Sequence, residues 1–401
     1  EAMSTRGMMM IAVLVLLTAV APACRDATQE TPPTSKTALV LSTDPAELDR
    51  ANPIVPLPTP PLGIEGDLAG LAEPPTPEKV RLGRWLFFDP RLSADDTVSC
   101  ATCHRPENGF SEPTPVSTGV DGKKGNRKAP PVLNAAFDIE PHRFWDGRAA
   151  SLEEQAIGPM VNPVEMSMPD HDLVVDKVRA IESYKPYFAE AFGDEAIDIE
   201  RIGKALADYE RTRFSGNSPW DRWQAEPDPE DAAIDVEAVI DFEGNVNLDE
   251  LELVDGKNVS AQVKLGHYVF FEKALCNQCH LGPNFTDAQF HNLGVGWDPE
   301  ANALKDQGRF DATGNDEDRG AFKTPTLREV ASRAPYMHDG SVATLQEVVA
   351  LYDRGGDANP WLSPKITKIG LTESESAALV AFMEALSGEG YQDAPPAVFP
   401  E

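Results

Sequence analysis

Hydrophobic and polar residues are distributed along this chain in several distinct ways, and each predicts a different kind of segment. Near the start, the run MMMIAVLVLLTAV (residues 8–20) is apolar throughout, follows Arg6 and gives way to the small residues of APAC, ending at Cys24. A charged head, a short apolar stretch and a small-residue end form the pattern of an export signal, here residues 1–24; the run is too short to span a bilayer comfortably. From 25 to 76 Pro, Thr and Ser dominate and no period persists, which predicts a tether or an extended strap over the surface. A helical pattern begins at Thr76, where TPEKVRLGRWLFFDPRLS opens on a cap-like threonine, places proline in the first turn and continues as a short amphipathic helix. IERIGKALADYERTRF (199–214) carries apolar residues at helical spacing, and TESESAALVAFMEALS opens on Thr372 as a closing helix. Residues 224–261 are an acidic insert and read as a solvated connector.

The helical part contains an internal repeat. LGRWLFFDPRLSADDTVSCATCH (82–104) matches LGHYVFFEKALCNQCH (265–280): Leu-Gly, three residues and Phe-Phe precede a Cys-x-x-Cys-His motif in both, with a longer loop in the first copy. Two copies imply two related domains rather than a solenoid, and 401 residues are enough to bury two cores. The predicted boundaries are 77–223 for the first domain, 262–390 for the second and 391–401 for a tail.

Composition narrows the partners. With 35 basic against 66 acidic side chains the net charge is −31, which argues against nucleic acid and fits encounter with a basic protein. A hydrophobic share of 41% is that of a globular body rather than a disordered one. No later segment is long and apolar enough for a membrane helix, so the expected location is periplasmic. Membrane contact would come only through lipid attachment at Cys24; Ala21-Pro22-Ala23 is a poor lipobox, and plain cleavage stays open beside it. The other four cysteines lie in the two motifs, which leaves no spare pair for a structural disulfide.

On a helical turn, positions i, i+3 and i+4 share a face, so Cys100, Cys103 and His104 can address one planar ligand, as can Cys276, Cys279 and His280. Two thiols add across the vinyl groups of a haem and the histidine becomes an axial ligand, which is the c-type attachment pattern. A zinc ribbon would set its cysteine pairs about 15–20 residues apart rather than across most of the chain, and a redox dithiol would not recur with histidine each time. Two covalently bound haem c groups are therefore expected.

At this point the sequence resembles the bacterial di-haem cytochrome c peroxidase family, including its MauG-like, protein-modifying branch. The resemblance runs over residues 77–390 and rests on LGRWLFFDPRLS, SCATCH, FWDGRAASLEEQAIGPMVNPVEM (144–166), LCNQCHLGPNF and FKTPTLREVASRAPYMHDG (322–340). It implies an all-α fold: two cytochrome c-like haem domains packed together, with long loops and an extended N-terminal segment. It further implies a peroxidatic haem on His104 and an electron-transfer haem on His280. Members that need reductive activation place a removable histidine over the first haem, and the aligned residue here is Val120, which cannot ligate iron. The resemblance implies Gln155 and Glu165 as the distal pair, with Glu165 moving the proton that peroxide cleavage requires. It implies Trp145 between the haems, and Arg148 is read as a partner of haem propionates. By family spacing Tyr352 is the second ligand of the second haem, as in the MauG-like branch, with Met337 as the rival. Family members bind calcium between the domains, but Lys128 stands where their asparagine offers an oxygen, and an ammonium repels a cation, so calcium is not expected. His338 is expected to hydrogen-bond near a haem edge. His142, His171, His267 and His291 are not needed as ligands.

The expected function is a peroxidase that reduces hydrogen peroxide at the first haem while the second shares oxidising equivalents with a redox partner protein. Val120 and Tyr352 point to a protein substrate oxidised in place; Ala274, where the MauG-type route has a tryptophan, leaves a cytochrome c-like donor open. A non-catalytic di-haem electron carrier and a zinc-stabilised domain are the alternatives from other classes.

Overall fold

The computed structural model describes residues 39–137, 142–226 and 258–401. The expected export signal, Cys24 and most of the acidic insert lie outside the described residues. Local sequence accounts for where the helices start. Asp44 accepts from Ala46 N to open α1 (Pro45–Ala51), and Thr76 accepts from Lys79 N to open α2 (Pro77–Phe88), each with proline in the first turn. Ser99 and Thr102 form a capping box at α3 (Cys100–Cys103), the single turn that carries the first motif. Ser151, Asp170 and Asp198 cap α4 (Leu152–Val161), α5 (His171–Ala180) and, beyond α6 (Lys185–Phe192), α7 (Ile199–Arg211). Ser218 boxes with Asp221 at α8 (Pro219–Gln224).

The second half follows the same grammar. Ser260 caps α9 (Ala261–Tyr268), which runs into one π-helical turn, Val269–Lys273, and then into the short turn Cys276–Gln278 of the second motif. After α10 (Phe310–Thr313), capping boxes at Thr344 and Thr372 open α11 (Leu345–Asp353) and α12 (Glu373–Glu384). Strands are two residues long and only tie loops together. β1 (Leu41–Ser42) pairs in parallel with β6 (Phe399–Pro400). β2 (Phe290–His291) pairs antiparallel with β5 (Phe322–Lys323), and β3 (Trp297–Asp298) likewise with β4 (Ala303–Leu304). Among the described residues no helix is long and apolar enough to cross a membrane.

Two hydrophobic cores form. The first gathers Trp85, Phe87, Phe110, Tyr184, Phe188 and Tyr209 from α2, α6, α7 and the loops beside them; the second gathers Phe270, Phe285, Val349, Leu379 and Phe382 around α9, α11 and α12. Residues 39–76 lie on the body: Leu48 enters the first core, and Ile64 and Leu68 pack with Phe214. The stretch 391–401 returns to the first core, where Tyr391, Val398 and Phe399 are buried and Val398 O accepts from Trp85 Nε1 at 3.1 Å. Beside the second core, over Trp220 and Phe285, fully buried Arg328 forks onto Asp221 (2.6 and 2.9 Å) and donates to Pro283 O and Gly63 O. Such a pair tolerates loss of neither partner, since the survivor would be a buried lone charge.

The repeat in the sequence is a repeat in the packing. The glycine of each Leu-Gly sits where two helices cross backbone to backbone. A Cβ on Gly83 would lie 1.8 Å from Ala205 O and 2.9 Å from Tyr209 Cβ, and one on Gly266 would lie 2.0 Å from Ala378 O and 2.7 Å from Phe382 Cβ. Thus α2 crosses α7 as α9 crosses α12, with the contacting residues four apart in both. Helix propensity alone would make glycine-to-alanine stabilising here by about 1 kcal/mol. Overpacking costs about 1–3 kcal/mol and acts on backbone that cannot give way, so packing should win. Gly83→Ala and Gly266→Ala should each lower the thermal unfolding midpoint of the intact protein. Gly158→Ala in α4, where the added methyl meets only the Phe144 ring at 3.5 Å, should not.

Candidate active site

Each motif closes one wall of a cavity, and the two copies are built alike. In the first, His104 N donates to Cys100 O at 2.9 Å and the ring Nδ1 bonds Phe110 O at 3.1 Å; in the second, His280 N donates to Cys276 O at 2.9 Å and Nδ1 bonds Phe285 O at 3.0 Å. Both phenylalanines are buried and both hold the left-handed backbone that non-glycine residues rarely adopt (φ 53° and 49°), which turns each carbonyl back onto its imidazole. With Nδ1–H donating, the lone pair lies on Nε2, the tautomer a metal ligand needs. Burial pushes both imidazoles below the usual histidine range, so they stay neutral. All four motif cysteines are free thiols, and burial holds Cys100, Cys103 and Cys276 in the protonated form, Cys103 and Cys276 at about 12. The pairs lie in different cavities, so the four sulfurs make no shared zinc site.

The first cavity, about 250 Å³, brings together Cys100, Cys103, His104, Trp145, Arg148, Gln155 and Glu165. Gln155 comes from α4, and Glu165 from the turn after it, where Glu165 N donates to Asn162 O at 3.0 Å. Asn162 Nδ2 donates to Glu165 Oε1 at 2.6 Å. Burial raises the Glu165 carboxyl above its ordinary value; Arg148 and the Asn162 bond oppose this and Glu112 adds to it. Arg148 is engaged by Asp146 (3.0 and 2.9 Å) and stacks on Phe144 at 3.6 Å, while facing the cavity. Among the described residues lining this cavity, His104 is the only histidine. Val120 does not line it: its N–H donates to Glu165 O at 2.8 Å and its side chain enters the first core.

The second cavity, about 200 Å³, is lined by Cys276, Cys279 and His280 together with Tyr352 from α11, Met337, His338 and Ala274. Burial, with Cys276 and Cys279 adding, keeps the Tyr352 phenol protonated in the absence of a cation, and a bound metal reverses that preference. His338 stacks flat on Phe322 (centroids 3.6 Å, 13° between planes), and burial lowers it to about 4. His291 Nε2 bonds Asp287 at 2.9 Å, which raises the imidazole to about 9 with help from Cys279. His267 packs among Trp223, Phe271 and Phe382, and His171 bonds Ile157 O at 3.1 Å.

Trp145, Lys323, Thr324 and Pro325 line both cavities. The Trp145 indole N–H donates to Lys128 O at 2.8 Å, and its carbonyl accepts from Lys323 N at 2.8 Å. Lys128, the residue that argued against calcium, has a buried ammonium bonded to the carbonyls of Glu112 and Thr114.

Three residues of the first cavity escaped sequence reasoning. Asn162 lies one turn before Glu165, a spacing that could have flagged it. Arg127 forks onto Asp306 (2.7 Å twice) and Asp146 (2.6 Å), and no local pattern announced it. Glu210 is buried with Oε2 unpartnered, and burial pushes its carboxyl to about 8. It sits in the stripe of Gly203 and Leu206 on α7, where an acid is out of place.

Comparison with known proteins agrees with this geometry. The sequence profile described as di-haem cytochrome c peroxidase matches residues 77–228. The methylamine utilization protein MauG of Methylorubrum extorquens is 39% identical over 319 residues, 79% of this chain and 80% of the relative. The cytochrome c551 peroxidase of Nitrosomonas europaea is 33% identical, covering 79% of this chain and 82% of its own length. The solved structure of a MauG-like protein associated with microbial copper homeostasis superposes with a TM-score of 0.66 at 31% identity, covering 86% of this chain and 97% of that one. With two matched cavities, each built on a Cys-x-x-Cys-His turn, and relatives of this extent, the chain belongs to the di-haem cytochrome c peroxidase family of oxidoreductases.

Proposed function

We propose that this protein is a periplasmic peroxidase that reduces hydrogen peroxide in its first cavity and draws the electrons from an external donor through its second. The observation that carries the reading is a difference between two otherwise matched cavities. The first pairs a carboxyl, Glu165, and an amide, Gln155, with no histidine besides His104 among the described residues; the second adds Tyr352 and Met337 to His280.

Each cavity fits a covalently held haem, since two unpaired thiols and an imidazole with its lone pair on Nε2 converge on one space. Cys100 and Cys103 would hold the first haem and His104 its iron; Cys276, Cys279 and His280 would hold the second. When bound, the haems supply the iron that accepts peroxide and a store for oxidising equivalents. Converting hydrogen peroxide to two waters consumes two protons and two electrons. Glu165 would take a proton from one peroxide oxygen and deliver it to the other, so that this oxygen departs as water; the remaining oxygen would take two electrons from the donor and two protons from solvent to become the second water. Gln155 orients the peroxide by hydrogen bonding. Trp145, bordering both cavities, is the aromatic bridge for the electrons.

Because the first act of Glu165 is to accept a proton, its ionised form begins the reaction, and activity falls as pH drops through its pKa. Glu165→Gln should cut peroxide turnover about 10²- to 10⁴-fold. Asn162→Ala removes a donor that favours the carboxylate, which raises the Glu165 pKa. It should therefore move the acid limb of the pH–rate profile upward while leaving the alkaline plateau in place; an unmoved limb takes the proton step away from Glu165.

Tyr352 is the proposed second ligand of the second iron. Its phenolate would be a hard donor that favours oxidised iron, whereas Met337 would favour the reduced form. Tyr352→Met should change the absorption spectrum of the second haem, and Met337→Leu should leave it as in the parent. The reverse pattern reassigns the ligand.

Two donors fit. Val120 and Tyr352 align with MauG-like oxidation of a protein side chain, whereas Ala274, lining the second cavity where that route has a tryptophan, favours a reduced cytochrome c. Rapid reaction with peroxide but negligible turnover with reduced cytochrome c is expected for the first, and sustained turnover for the second. Two low-spin EPR signals with no high-spin signal in the oxidised protein would mark a carrier and sink both.

A further inference from the structure

We propose that Lys128 is an internal cation that pins the chain segment joining the two cavities, and through it acts as the positioning residue for Trp145. Lys128 touches both sides of the junction with three different groups. Its ammonium donates to the carbonyls of Glu112 and Thr114, its backbone N–H donates to His338 O at 2.7 Å, and its carbonyl accepts the Trp145 indole N–H at 2.8 Å. Lys128 lines the first cavity, His338 the second, and Trp145 both.

A buried ammonium is costly unless its donors are met. Here Lys128 is 5% exposed and the charged groups facing it are the Glu112 carboxylate and the buried Arg333 guanidinium. Glu112 is itself fixed, accepting from Ser117 Oγ and Ala129 N at 2.6 Å each and from Thr114 Oγ1 at 3.0 Å. The side chain of residue 128 therefore ties its own backbone to the 112–117 loop from within. The partner loop is equally confined, for a Cβ on Gly340 would lie 2.3 Å from Pro115 Cα. An uncharged, donor-free side chain would leave the buried Glu112 carbonyl and the half-buried Thr114 carbonyl without this donor, and the backbone that presents Lys128 O to the indole would keep the His338 bond but lose its tie to the 112–117 loop.

The inference rests on the reading of Trp145 as the bridge between the haems, and the test separates the two. In the holoprotein, one electron is injected rapidly and its equilibration between the haems is followed by their spectra. Ultraviolet resonance Raman reports the Trp145 N–H bond as the difference from Trp145→Phe. Lys128→Met should weaken that bond and slow equilibration several-fold, with both haem spectra unchanged. Lys128→Arg, which keeps a buried cation, should restore most of the rate. If Lys128→Met does not assemble, Lys128→Gln takes its place with the same direction of change expected, since its side chain is uncharged and a bond shorter, too short to reach both carbonyls as the ammonium does. A Raman signature and rate like the parent's, with only a lower melting temperature, overturn the positioning role. If Trp145→Phe leaves equilibration unchanged, the bridge reading fails, while a weakened N–H bond in Lys128→Met still upholds the positioning of the indole.

Discussion

The backbone-to-backbone crossing at Gly83 and Gly266 is the constraint on which both halves depend. Where a helix meets another with no side chain between them, rotation and sliding are both fixed, and residues one turn beyond the contact are aimed at a definite place. In each half the contact residue, Ala205 or Ala378, is followed five positions later by a side chain that lines the cavity, Glu210 in the first and Met383 in the second. The duplicated geometry thus delivers a carboxyl to one cavity and a thioether to the other. Phe110 and Phe285 repeat the device at the histidines, accepting a strained left-handed backbone so that a carbonyl meets Nδ1.

Charge is arranged against the surface trend. The chain as a whole is strongly acidic, yet the interior holds cations: Lys128, Arg328, Arg333 and, partly exposed, Arg127. Each is met by oxygen: Asp221 for Arg328, Asp146 and Asp306 for Arg127, and carbonyls for Lys128 and Arg333. Buried ion pairs add little net stability but penalise any arrangement that leaves one partner alone. The Arg127–Asp306 pair joins residue 127 to residue 306 and so ties the two halves by contact that apolar packing alone would not specify.

Much of this was legible in the sequence wherever the signal was local. The Cys-x-x-Cys-His turns, the Leu-Gly repeat, the caps at Thr76 and Thr372 and the helical period of 199–211 all reappear as structure. The Trp145, Gln155 and Glu165 positions, suggested by resemblance, converge on the first cavity. What stayed hidden depends on contacts far apart along the chain. Nothing near residue 391 says that the C-terminal stretch crosses back to the first core, and nothing near Lys128 says that its ammonium finds carbonyls 14 and 16 residues earlier. The flat stacking of the His338 ring on Phe322 is likewise a contact that a histidine in isolation cannot announce.

Duplication by itself would give two equivalent sites, so a division of labour has to come from the positions where the copies diverge. Those positions cluster away from the motifs. The histidines, their carbonyl partners and the glycine crossings are shared, whereas Glu165 with Asn162 and Gln155 belongs only to the first cavity and Tyr352 with Met337 only to the second. Proton handling and ligand hardness are separable demands, the first needing a buried carboxyl, the second an oxygen or sulfur donor. Placing each on a helix end or turn that the common scaffold does not use, after α4 in one half and within α11 and the 337 loop in the other, lets either be changed without disturbing how its own haem would be held. Under the proposed function Trp145, which lines both cavities, would join two sites that differ in chemistry but not in frame, and Lys128, which accepts its single indole donor, would share in that connection.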